Sequence, residues 1–491
     1  MPEIKPIIIP AANIGISSSP HTGFGDIRNL DLYTLPGVVR LNNLLAKKSS
    51  TTVTNTIQWI VRDPITVANI FALDAGGQVY KSTDSGATWA TVSGETSGGA
   101  GQGMQIWKDY LFVARTSALD VYGPISGSPS WSNSWKTIDS DTLWHPMIVS
   151  KLDNKLYGGA GKYVFSLDEL TTFAPGTSAS FTWTQQALDL PSNYRIKCLE
   201  EQSNDLMIGT WMGTNIYDFK VADIFPWDRS SPSFKDPIRF NVNGINGMVN
   251  ILNTLWVLAG ISGEIYITNG VQATKVGQIP SSIADIEGGK YLEFYPGAIV
   301  NYKDRPFFGV SVGGSNNISG MGIWSIKQTS KGNILTNEHS ISTGSDGTSS
   351  VVKIGALLSP SRDTILCGWK DGTSYGIDMT TNTERYTNYL GYAESPLYTV
   401  GTNLNKRQFT QIEFLLAKPL TSGQGIKLKY RTDLNASWTT IGTYDYATLG
   451  GVLSHNDTAA IPACEAVQIR YELTTGSSSN TSPEFKNATL K

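Results

Sequence analysis

The chain has 491 residues, with 38 Lys and Arg against 41 Asp and Glu, a net charge of −3; 40% of its residues are hydrophobic and only 16% are charged. That balance excludes a basic nucleic-acid footprint, a charged disordered chain and a coiled coil. With 49 Gly, 13 Trp and 21 Tyr, the composition suits many short strands joined by tight turns, so the expected class is all-β.

Residues 1–50 are rich in turn formers. The segments Ile14-Gly15-Ile16-Ser17-Ser18-Ser19-Pro20 and Gly23-Phe24-Gly25-Asp26-Ile27-Arg28-Asn29 carry no pattern of a self-contained core. They are expected to form an extended N-terminal arm over another surface. The run Ile7-Ile8-Ile9 between prolines is too short for the apolar core of a signal peptide. No stretch reaches the ~18 apolar residues of a membrane-spanning helix, so no membrane insertion is expected.

Residues 51–392 carry a recurring unit: an Asn or Asp turn, an apolar strand, a Gly-containing turn, then a strand bearing an aromatic. Copies start at Asn69, Asp109, Asn154, Asp205, Asn253, Asp304 and Asp363, and their aromatics are Tyr80, Tyr122, Phe165, Tyr217, Tyr266, Trp324 and Tyr375. A spacing of roughly 40–60 residues is that of a four-stranded blade with variable loops, and the copies predict a seven-bladed β-propeller. Ring closure needs a strand from one terminus. Val38-Val39-Arg40-Leu41-Asn42 and Thr56-Ile57-Gln58-Trp59-Ile60-Val61 both read as strands available for it.

The first copy runs on into Ser82-Thr83-Asp84-Ser85-Gly86-Ala87-Thr88-Trp89, a full match to S-x-D-x-G-x-T-W. In that turn Asp84 can accept backbone N–H bonds, Gly86 supplies a positive φ, and Trp89 covers the hairpin. Ser82, Asp84, Gly86, Thr88 and Trp89 are therefore assigned a structural role. Such Asp-boxes occur in glycosidases, lectins and purely structural propellers alike.

Residues 393–491 change pattern. Gln411–Leu416, Ile426–Arg431, Trp438–Gly442 and Ala466–Leu473 read as strands, and the alternation in the second and last marks a sheet with one wet face. A small β-sandwich, jelly-roll-like, is expected here.

The sequence assigns no catalytic residue, no cofactor and no metal ligand. His21, His145, His339 and His455 stand far apart, as do Cys198, Cys367 and Cys464, without the spacing of a metal site. Arg62, Arg115, Arg195, Arg239, Arg305 and Arg362 are scattered, and no carboxylate pair for glycoside hydrolysis stands out. Trp131 and Trp135, in Trp131-Ser132-Asn133-Ser134-Trp135, and Trp227, in Phe225-Pro226-Trp227-Asp228, are the candidate exposed rings for stacking on a glycan.

The arm from Gly23 to Asp31 running into Leu35-Pro36-Gly37-Val38-Val39, the charge-poor repeats and the pair Lys427–Asp433 with Trp438–Gly442 together resemble structural proteins of tailed bacteriophages, such as tail nozzle, hub and adaptor components. The resemblance implies a non-enzymatic virion protein assembled in the host cytoplasm. It implies a homo-oligomeric ring held through arm and sandwich, and other tail proteins as partners. Two other classes stay open: a propeller that binds host surface glycans, and an Asp-box, sialidase-like glycosidase.

Overall fold

A strand that is apolar on both sides must be covered on both sides, and the chain contains many of them. Ile70–Asp74, Leu156–Ala160 and Ala222–Trp227 are buried along their whole length. The computed structural model describes residues 6–10, 16, 25–49, 52–95, 98–141, 143–169, 181–213, 219–280, 291–313, 318–329, 332–476 and 479–491. It is all-β, with a single four-residue helix, Tyr446–Leu449, among the described residues. It divides into two units, residues 1–45, 323–342 and 380–491 in one and 46–322 with 343–379 in the other.

The larger unit is a succession of antiparallel meanders. The first sheet is Ile57–Arg62, Ile70–Asp74, Val79–Ser82 and Ala90–Thr91; the second is Gly103–Trp107, Tyr110–Ala114, Ala118–Gly123 and Ser130–Thr137. The third is Met147–Val149, Leu156–Ala160, Tyr163–Glu169 and Phe181–Asp189, and the fourth is Tyr194–Gln202, Asp205–Met212, Ala222–Trp227 and Ile238–Phe240. The fifth is Ile245–Ile251, Thr254–Ala259, Glu264–Thr268 and Ala273–Gln278. In the sixth, Leu292–Glu293 and Ile299–Tyr302 pair in turn with Arg305–Val312. The last is Val352–Ser361, Thr364–Asp371 and Ser374–Arg385, with Asn43–Lys47 as its outer strand.

The repeat read from the sequence corresponds to the second and third strands of these sheets. Tyr80, Tyr122, Phe165, Tyr266 and Tyr375 each sit in a third strand. Asn215 to Tyr217 lie outside the described residues, as do Gly23 and Phe24 of the arm. The terminal strand comes from Asn43–Lys47, with the Lys48 amide donating to the Ile377 carbonyl at 2.8 Å just beyond it.

The first strands bind the sheets together. Ile57–Arg62 lies against Gly103–Trp107, that strand against Met147–Val149, and so on through Tyr194–Gln202, Ile245–Ile251, Ile299–Tyr302 and Val352–Ser361, which lies against Ile57–Arg62 again. Four of these interfaces have a core of their own. Trp107, Phe112 and Leu119 pack with Met147, Leu156 and Phe165; Tyr157 and Val164 pack with Ile196 and Ile208. Cys198, Met207 and Ile224 pack with Ile245, Leu255 and Val257. Ile60, Ala72, Tyr80 and Trp89 pack with Ala356, Leu366 and Ile377, joining last sheet to first.

In the smaller unit, one sheet orders Ile7–Pro10, Phe485–Leu490, Arg407–Leu416 and Ser454–Cys464. A second contains Ile27–Arg28, Gly391–Glu394, Ala466–Thr474, Gly425–Arg431 and Thr439–Asp445. Apolar alternation sends Ile426, Leu428, Ile469, Tyr471 and Leu473 to a buried face. Tyr471 stacks on Phe485 at 4.4 Å and Phe414 meets Tyr444 at 4.9 Å, joining the two sheets.

The division departs from the expected boundaries at 50 and 392. Trp324, the expected sixth marker, lies in the strand Gly322–Thr329, which pairs with Gly332–His339; that strand pairs in parallel with Ile27–Arg28 through Arg28 and Asn337. Residues 323–342 belong to the smaller unit. The first residues likewise form strands of a sheet, with Ile7 opposite Leu490.

The close approach of successive first strands leaves no room for a side chain at Gly103, where a Cβ would stand 1.8 Å from the His145 carbonyl oxygen. Gly103→Ala is expected to destabilise the protein by about 3 kcal/mol through forced backbone separation, read as a lower urea midpoint with an unchanged slope.

Candidate functional site

Because the first strands of the larger unit face one another, side chains far apart in sequence meet where those strands converge. Trp144 leads into Met147–Val149, and Tyr295 lies between Leu292–Glu293 and Ile299–Tyr302. Their rings meet edge to face at 5.5 Å, 88° apart, and both are buried. The third and sixth sheets are not neighbours around the ring, so this contact fills the space between them. Beside it, the buried Lys197 donates from Nζ to Asn246 Oδ1 at 2.8 Å and lies 5.7 Å from the Trp144 ring. Asn246 donates in turn to the Gly260 carbonyl at 2.8 Å. Lys353 Nζ pairs with Glu293 at 2.9 Å and lies 5.8 Å from the Tyr295 ring.

Burial pushes the Lys197 ammonium down to about 8, against the opposing pull of the Glu293 charge. Burial, reinforced by Glu293, pushes the Tyr295 phenol well above its ordinary value. Lys353 and Glu293 neutralise one another, and Asn246 orients Lys197. Sequence reasoning missed the cluster, because its members sit one or two per sheet with no local motif.

Three of the six arginines are tied to carboxylates, and Arg62 donates to the carbonyls of Val67 at 2.8 Å and Pro360 at 2.6 Å. Arg115 is held by Asp120 at 3.0 Å and Glu95 at 3.3 Å, Arg195 by Asp141 at 3.3 Å, and Arg239 by Asp223 at 3.0 Å. His145 is buried between the carbonyls of Gly159 and Thr116 at 3.0 and 3.3 Å, and His21 lies outside the described residues. Among the described residues no group of His, Cys, Asp and Glu is arranged to hold a metal ion.

The turn from Ser82 to Trp89 is bonded as its residue types dictate. Ser82 Oγ donates to Asp84 Oδ1 at 2.7 Å and accepts from the Gly86 amide at 2.8 Å. The Thr88 amide and hydroxyl donate to the two Asp84 oxygens at 2.8 and 2.6 Å, and Trp89 Nε1 donates to the Gly86 carbonyl at 3.1 Å. Gly86 has φ +96°. Burial acts to raise the Asp84 carboxyl, but the bonds from Thr88 and Ser82 hold it below the usual range.

This turn borders an open groove of about 600 Å³ between the outer strands of the first and second sheets, walled by Lys81, Thr88, Trp89 and Ser93 on one side and by Tyr122 and Trp131 on the other. Trp131 is partly exposed, donates to the Ser93 carbonyl at 3.2 Å and packs on Tyr122 at 4.9 Å. Tyr122 meets Phe71 at 6.4 Å, over which Lys81 lies at 5.5 Å.

The other two candidate rings are elsewhere. Trp135 is half-buried against Phe112 at 5.9 Å. Trp227 is only 2% exposed, contrary to the expected surface position. It packs edge-on to Tyr157 at 5.8 Å and donates to the Ser231 carbonyl at 2.8 Å. Phe225-Pro226-Trp227 belongs to an inner strand covered on both faces, where an aromatic ring is core rather than ligand surface.

No family model matches the chain, and no curated protein does. Solved structures similar to it include YCF48 bound to D1 peptide, at 10% identity and a TM-score of 0.44 over 72% of this chain and 99% of that one. YCF48 from Cyanidioschyzon merolae is similar at 9% identity and 0.44, over 70% of this chain and 100% of that one. The Cps50 (Swd1) beta-propeller domain of Myceliophteria thermophila is similar at 9% and 0.43, over 69% and 100%.

The buried ammonium gives a signed pH dependence. A lysine whose folded pKa lies below its unfolded value is a penalty that is complete below about 8 and disappears as pH rises toward 10.5. Wild type is therefore expected to gain stability over Lys197→Met between pH 7.5 and 10, by on the order of 2–3 kcal/mol, measured as the difference in urea-unfolding free energy at each pH.

Proposed function

We propose that the larger unit is a seven-bladed β-propeller, the smaller a β-sandwich joined by N-terminal strands, and the chain a non-enzymatic structural component of a bacteriophage particle. In this reading it is a tail protein of nozzle, hub or adaptor type. The observation that carries the non-enzymatic part is the Trp144–Tyr295 contact, which occupies the region where the first strands converge and where a propeller hydrolase would need its substrate. Arg115, Arg195 and Arg239, each tied to its own carboxylate, support the same reading, since a sialidase-like site needs its arginines free to converge on one substrate carboxylate. The phage assignment draws its support from the sequence resemblance. Ring assembly through the N-terminal strands and the sandwich, with other tail proteins as neighbours, belongs to the same proposal.

The partly exposed Trp131 favours a second reading, in which the groove binds a host surface glycan. An indole fixed by its own N–H bond offers a face for stacking on a sugar at little conformational cost. Lys81 and the Ser93 hydroxyl stand beside it to bond sugar oxygens.

Purified chain is expected to form an oligomer of fixed copy number by mass photometry, to leave sialosides uncleaved, and to be found by mass spectrometry in purified phage particles. Sialoside turnover, or absence from the particles, would falsify the structural assignment. If the groove binds glycan, Trp131→Ala abolishes retention on a bacterial-polysaccharide array, while Trp135→Ala, outside the groove, leaves it unchanged.

A further inference from the structure

The smaller unit has a pocket of about 280 Å³ whose lining includes three cations, Arg40, Arg385 and Lys418, and one carboxylate, Glu484. Glu484 is committed to Lys418 at 2.9 Å, and Arg40 is held through Nε by Asp31 at 2.9 Å. Arg385 has neither kind of compensation. Its Nε donates to the Asn480 carbonyl at 3.0 Å and its Nη1 to the Leu41 carbonyl at 2.6 Å. Both acceptors are neutral backbone, and among the described residues no carboxylate lies within ion-pair distance of it. A partly buried guanidinium therefore stands beside a second guanidinium without a counterion of its own.

We propose that this pocket binds the oxyanionic group of a small ligand, a phosphate or a carboxylate, between the Arg40 and Arg385 guanidinium groups, with Lys418 at the rim. The chemistry is that of charge-assisted recognition: planar guanidinium donors match the spacing of two oxyanion oxygens. Two carbonyls fix Arg385 in place, so little side-chain freedom is lost on binding. Polar neighbours Thr421 and Thr481 line the same wall. Burial, then repulsion from Arg40, lowers the Arg385 pKa, with Asp31 opposing; this is the imbalance an anion would relieve. The pocket lies wholly within the smaller unit, and the inference is independent of the reading given above for the chain's function.

The test is isothermal titration of the full chain with inorganic phosphate, and separately with acetate, at low and constant ionic strength. One saturable site with a Kd of about 1 mM or tighter is expected for at least one of the two. Saturation by phosphate alone identifies a phosphate ligand, and equal or tighter binding of acetate identifies a carboxylate. Arg40→Gln is expected to weaken binding at least about tenfold. Lys418→Met, at a side chain 72% exposed, tests the pocket from its rim and should weaken binding several-fold, because it also frees the Glu484 charge. Absence of saturable binding of both ions, or binding unchanged in Lys418→Met, overturns the proposal.

Discussion

The structure of the larger unit depends on mutual coverage of sheets that have no wet face. Strands such as Ile70–Asp74 and Ala222–Trp227 bury every residue, so each sheet needs a neighbour on both sides. A linear stack would leave two sheets half bare. Contact of Val352–Ser361 with Ile57–Arg62 removes both ends at once, and the shared core of Ile60, Tyr80, Ala356 and Leu366 gives that closure the same apolar character as the other interfaces. The hydrophobic term is roughly proportional to area removed from water, so a sheet added to the ring is covered twice and an end sheet only once.

This requirement explains what the sequence made legible and what it did not. The hairpin of second and third strands was readable because it is local: Asn or Asp before an apolar strand, glycine at the turn, an aromatic after it. The turn from Ser82 to Trp89 was readable for the same reason, since the side-chain bonds of Ser82, Asp84, Thr88 and Trp89 that shape it fall within eight residues. Burial of Trp227 was not. Phe225-Pro226-Trp227-Asp228 reads as a candidate exposed aromatic segment when taken alone, and only the neighbouring sheets decide that Trp227 lies in an inner strand.

The cluster around Trp144, Lys197, Asn246, Glu293, Tyr295 and Lys353 was hidden more deeply. Each member is unremarkable in its own segment, and a single lysine within a strand carries no signal. Only the convergence of first strands from separate sheets brings them together. The domain boundaries were obscured in a related way: the strand containing Trp324 follows the repeat pattern, but it pairs with a strand whose next partner is Ile27–Arg28 near the N-terminus. Local pattern specifies a hairpin. It does not specify which sheet the hairpin joins.

The two polar groupings differ in whether open space faces their charge, and that difference separates structural from ligand-binding character. Where the first strands converge, Lys353 is paired with Glu293, and Lys197 has the neutral Asn246 oxygen and the Trp144 face. Burying such groups costs stability, but their partners are fixed in place and the space between them is occupied by Trp144 and Tyr295. At Arg385 the partners are neutral carbonyls, the nearest guanidinium repels, and open volume lies in front. A cluster packed shut holds a fold together, whereas an uncompensated charge facing a cavity retains the capacity to bind the charge it lacks.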